Sequence, residues 1–82
     1  MTPTAKFSGL VQMLNSFIVG KESARGTQFV GEIESEFARL GLDEEEDLSG
    51  LQHSLAMYRG REEDISDLIA EAKFAVRLLL KR

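Results

Sequence analysis

The sequence predicts an all-α fold, an antiparallel four-helix bundle of up-down-up-down topology, and three observations carry that expectation. Gly20, Gly41 and Gly60 divide the 82 residues into four stretches of similar length. Each stretch repeats apolar residues every three or four positions, the period of a helix that buries one side. The joints between stretches are short, which forces consecutive helices to run antiparallel. Glycine reaches the left-handed backbone that closes a helix, so each of the three is read as a helix end. Residues 1–82 then form a single helical domain, small enough that its core leaves only a thin margin over chain entropy.

The first helix is predicted from Pro3 to about Val19, with the Thr2 hydroxyl as cap and proline in the first turn, where its missing N–H costs nothing. Phe7, Leu10, Val11, Leu14, Phe17 and Ile18 collect on its core side. Ser23 caps the second helix, whose buried side holds Phe29, Val30, Ile33, Phe37 and Leu40. Gly26 and Gly31 interrupt it, each costing about 1 kcal/mol relative to alanine, and mark either close backbone approach or tolerated defects. Asp43 and Glu46 have capping-box spacing for the third helix, which carries Leu48, Leu51, Leu55 and Tyr58 and ends at Gly60. Asp64, with Asp67 three positions on, opens the last helix. Its core side is Ile65, Leu68, Ile69, Ala72, Ala75, Val76 and Leu79, and Lys81 and Arg82 suit the negative end of the helix dipole.

Composition narrows the function classes. There are no cysteines, so neither a disulfide staple nor a thiolate metal site is available, and a cytoplasmic location is the default. Lys73 and Arg77 interrupt the longest apolar segment, and no run approaches the roughly 20 residues of a membrane span. The first residues, Met1 to Lys6, lack the apolar run of a signal peptide. Fourteen acidic against 10 basic residues give a net charge of −4, which disfavours nonspecific nucleic-acid binding and permits attraction to a basic partner.

Chemistry finds little to work with. His53, the only histidine, falls off the Leu51, Leu55 and Tyr58 stripe and reads as a surface residue without ligand-spaced companions. Nothing builds a nucleophile elbow or a phosphate-binding glycine loop, since Gly26 and Gly31 lie within a helix. The sequence therefore reads as a non-enzyme without cofactor or metal. Asp47-Leu48-Ser49 has the wrong order and place for the attachment site of an acyl carrier protein.

The acids carry the binding hypothesis. Asp43 to Asp47 and Glu62 to Asp64 stand at helix starts, where carboxylates favour the positive dipole end by about 0.3–1 kcal/mol each. Five consecutive acids exceed what capping requires, and complementary charge would steer a basic surface onto either run. In an up-down bundle the two runs are separated by about 25 Å, a helix length at 1.5 Å per residue. On the last helix, Asp67, Glu71, Phe74 and Leu78 fall opposite the core side. Two bulky apolar groups beside carboxylates fit a protein-binding surface, a homodimer seam, or a bundle rotated enough to bury them.

The stretch Leu14-Asn-Ser-Phe-Ile-Val-Gly-Lys-Glu-Ser-Ala24, with Phe29 and the helix reaching Phe37, resembles the opening of the colicin D immunity type of bacteriocin immunity proteins. The ending is similar too, with an aromatic, Tyr58, closing the third helix and Asp64-Ile-Ser-Asp-Leu68 opening the last. The resemblance spans roughly Leu10 to Leu79 and rests on helical stripes and one turn. It implies a protein that occludes the active site of a cognate nuclease toxin, with acids near the end of the third helix occupying a basic cleft. Here the chain departs from the pattern: Ala56-Met57-Tyr58-Arg59-Gly60-Arg61 is apolar or basic where acids are expected. The predicted partner surface is therefore Tyr58, Glu62, Glu63, Asp64, Asp67, Glu71, Phe74 and Leu78, facing a basic toxin or nuclease domain.

Overall fold

The structure, a computed structural model, describes residues 7–20, 23–42 and 45–81. Among these residues the chain forms α1 (Ser8–Gly20), α2 (Ser23–Leu40), α3 (Ser49–Met57) and α4 (Glu62–Lys81), with a 3-10 turn at Glu46–Leu48 and no strand. Helix α4 is the hub. It packs along α1 on one flank and α3 on the other; α1 also packs on α2, and α2 touches α3 and α4 more lightly. This is the expected antiparallel four-helix bundle. The caps assigned to Thr2, Pro3, the Ser23 side chain and Asp43 lie outside what is described.

The buried stripes follow the helical period. Leu10, Leu14 and Phe17 from α1 meet Val30, Ile33 and Phe37 from α2, Leu51 and Leu55 from α3, and Leu68, Ala72, Ala75 and Leu79 from α4 in one core. Each fully buried leucine contributes about 1.5–3 kcal/mol of apolar transfer. Ala72 and Ala75 have no bulk to hold neighbours away, which lets α1 and α3 both close on α4. Ile18, Phe29, Leu40, Ile65, Ile69 and Val76 are half-buried against this core instead of inside it. Phe29 lies edge-on to Phe17, ring centroids 5.8 Å apart and planes at 67°, a favoured aromatic geometry.

The glycines behave unequally. Gly41 takes φ +69°, and the Leu42 N–H donates to the Phe37 carbonyl at 2.9 Å while the Gly41 N–H donates to Ala38 at 3.2 Å. That pair of bonds is the Schellman closure of α2, with Leu42 buried as its hydrophobic plug. The Gln52 amide fastens the same corner to α3 by donating to the Leu42 carbonyl at 3.1 Å. Gly20 is the last residue of α1, as expected of a helix end, but does not take the left-handed backbone. Gly60, at φ +82°, does not end α3 as expected: the helix stops at Met57 and Tyr58 is already extended, at φ −63° and ψ 127°.

Within α2 the two interrupting glycines separate. A Cβ on Gly26 would lie 3.0 Å from Cζ of Tyr58 and closer still to its hydroxyl, so this glycine is a close approach. Gly31 has nothing within 4 Å and is a tolerated defect.

Candidate functional site

Only three residues, Tyr58 excepted, separate α3 from α4, so the turn at Arg59, Gly60 and Arg61 must leave one helix and start another at once. The left-handed backbone of Gly60 folds the amides of Arg59 and Arg61 toward the same point, and the Asp64 carboxylate sits there. Asp64 Oδ2 accepts from Arg59 N at 3.0 Å and from Arg61 N at 3.3 Å. The Arg61 guanidinium completes a fork, Nε to Oδ2 at 3.0 Å and Nη2 to Oδ1 at 3.1 Å. The Ile65 N–H donates to the Arg61 carbonyl at 3.0 Å, so α4 begins at Glu62 and not at Asp64. Asp64 thus occupies the third helical position and reaches back to the cap residue's amide, half of a capping box. Arg59 closes the preceding helix by donating from Nη1 to the carbonyls of Ala56 and Tyr58, at 3.2 and 3.0 Å.

This network alters the electrostatics of the acidic run. The Arg61 guanidinium, followed by the two backbone amides, holds the Asp64 carboxyl below its ordinary range against the opposing pull of burial. The same pairing raises Arg61. Arg61 Nη1 also lies 3.4 Å from Glu63 Oε1, so one guanidinium answers two of the three acids. The Arg61–Glu63 pair is exposed on both sides and contributes little to stability, but it cancels field at the surface.

The predicted partner-binding residues therefore divide. Tyr58 is only 8% exposed and points its ring at Gly26, so it belongs to the core and not to a contact surface. Burial, and then the charge of Asp64, push its hydroxyl above the usual phenol value. Asp64 is committed to the turn, and Glu63 shares Arg61. Glu71 is half-buried, its carboxylate lying over Gly50, and Leu78 is also half-buried. A homodimer seam on Phe74 and Leu78 is left with one exposed anchor. Glu62 and Asp67 are exposed and take part in no ion pair among the described residues, and Phe74 is 52% exposed.

One residue absent from the sequence-based set joins them. Met57, the last residue of α3, is 51% exposed. It lines an open cleft of about 240 Å³ between α3 and α4 together with His53, Ser54, Arg61, Asp64 and Asp67. Phe74 follows Asp67 by seven residues on the same side of α4, about 10 Å along the axis. The α3/α4 edge consequently offers two apolar anchors around an unpaired carboxylate. His53 is exposed there, and no group of three or more metal-ligating side chains occurs among the described residues. No described helix is long and apolar enough to cross a membrane. No protein-family model, curated protein or solved structure matches the chain.

Proposed function

We propose that the protein is an immunity-type inhibitor, which binds a basic toxin or nuclease domain through its α3/α4 edge and blocks the toxin's active site by occlusion inside the producing cell. The observation that carries this reading is the grouping of exposed Met57 and Phe74 around unpaired Asp67, beside the turn that fixes Arg61 and Asp64. Flexible methionine and rigid phenylalanine provide apolar area, and a free carboxylate between them selects a lysine or arginine on the partner. Resemblance of the sequence to the colicin D immunity type supports the same class. Inhibition by occlusion needs no catalytic group, so the surface alone accounts for the activity.

Co-expression with a basic nuclease-toxin domain, taken from a neighbouring reading frame where one is encoded, is the direct test. The wild-type protein should restore growth and bind the purified toxin C-terminal domain. Phe74→Ala and Asp67→Lys should each weaken that binding by about tenfold or more while leaving the helical circular dichroism unchanged. Absence of both protection and binding overturns the reading; binding unaffected by either substitution moves the site off this edge.

A further inference from the structure

Helix α4 presents a second open face, on the flank away from the α3/α4 edge. Glu62, Ser66, Ile69 and Lys73, with Ala70 and Arg77 beside them, recur at three- and four-residue spacing along it and line a groove of about 820 Å³. Ile69 is half-buried at the middle, and the other five are exposed. Ser66 and Ala70 are short. The charges are segregated, with an acid at the N-terminal end and two bases at the C-terminal end. None of Glu62, Lys73 and Arg77 forms an ion pair among the described residues.

From this we infer that the groove is a self-association surface, occupied by the same face of α4 from a second copy running antiparallel. The pattern is self-complementary only in that direction. A two-fold axis between Ile69 and Ala70 sets Ile69 against Ala70 of the second copy, Ser66 against Lys73, and Glu62 against Arg77, each contact occurring twice. Parallel pairing would set Glu62 against Glu62 and Arg77 against Arg77. Ser66 and Ala70 leave room for the helices to approach at the 8–10 Å usual for packed helices. The contact is isologous, so it closes at the dimer and does not propagate. One helix face covers less than the roughly 800 Å² per partner of a standard interface, so the dimer is weak, with a dissociation constant of order 100 µM. It is weakened further by salt, because its end contacts are exposed ion pairs. The inference stands apart from the inhibitor reading, since Met57, Asp67 and Phe74 remain free in such a dimer.

Charge swapping tests the direction as well as the existence of the dimer. Sedimentation equilibrium of the full chain at low ionic strength, up to about 1 mM, should show the wild type dimerising. Glu62→Arg and Arg77→Glu should each raise the dissociation constant by about tenfold, because each variant opposes like charges twice. An equimolar mixture of the two variants should recover association to near the wild-type level, since the introduced arginine then meets the introduced glutamate and the native pair re-forms. A wild type that stays monomeric throughout this range overturns the inference. So does a mixture that associates no better than either variant alone, or a dimer abolished by Phe74→Ala and untouched by the swaps. Circular dichroism of each variant keeps a folding defect from being read as lost association.

Discussion

Gly26 and Tyr58 allow the packing of α2 against the end of α3 to be tested by a double-mutant cycle. In an open helix, replacing glycine by alanine gains about 1 kcal/mol. At Gly26 the added methyl falls 3.0 Å from Cζ of Tyr58 and nearer still to the hydroxyl oxygen. The ring is rigid and only 8% exposed, so it has no free space to swing into. Overpacking of this kind costs about 1–3 kcal/mol, which outweighs the propensity gain and leaves Gly26→Ala about 1 kcal/mol less stable. In a domain of this size that lowers Tm by about 4–8 °C. The Tyr58 hydroxyl is buried with no hydrogen-bond partner among the described residues, so Tyr58→Phe should stabilise by about 1 kcal/mol. In the Gly26→Ala background it should gain more, because it also removes the nearest clashing atom, giving a coupling of about 1 kcal/mol. Gly31→Ala, with nothing within 4 Å, is the control and should gain the full helix propensity. Urea unfolding followed by circular dichroism measures all four variants. If Gly26→Ala stabilises as much as Gly31→Ala, and Tyr58→Phe adds to it without coupling, the close approach is refuted.

Two further outcomes follow from the turns. Gly41→Ala should destabilise by about 1–2 kcal/mol, since φ +69° disfavours any residue with a Cβ; thermal unfolding unchanged from wild type would show that the Schellman closure relaxes freely. Asp64 has a folded-state pKa below its unfolded value, so its contribution is complete above the ordinary carboxylate pKa of about 3.9 and is lost as pH falls through the lower folded value. Asp64→Asn should therefore lower Tm at pH 7 and narrow its gap to wild type in the most acidic buffers; a gap independent of pH would remove Asp64 from the acid response.

The stripes were legible because burial imposes the helical period directly. Leu10, Leu14, Phe17, Ile33, Phe37, Leu51, Leu55 and Leu68 are all where their spacing puts them. Gly41 was legible for the same reason, since its conformation is a local property of one helix end. The third turn was less so. Its acids signal charge in the sequence, but whether they face outward depends on Arg61, three residues from Asp64, folding back onto it. That spacing of three between a cap residue and an acid was the available signal. The basic residues at Arg59 and Arg61, read as a departure from an acidic pattern, are what close α3 and open α4. Tyr58 lay on the apolar stripe and was also assigned to the surface, and the stripe prevailed because α2 offers it a glycine. Met57 had no signal of its own, for its exposure depends on α3 ending there.

The turn that caps two helices at once has a kinetic consequence. The Arg59 side chain bonds back to Ala56 and Tyr58 at the end of α3, and Asp64 binds the Arg59 and Arg61 amides at the start of α4, so the edge carrying Met57 and Asp67 is held from both sides of the turn. Little ordering entropy remains to be lost on contact. For the inhibitor proposed above, Met57→Ala and Phe74→Ala should then act mainly on how long a complex lasts, whereas Asp67→Lys should also slow encounter.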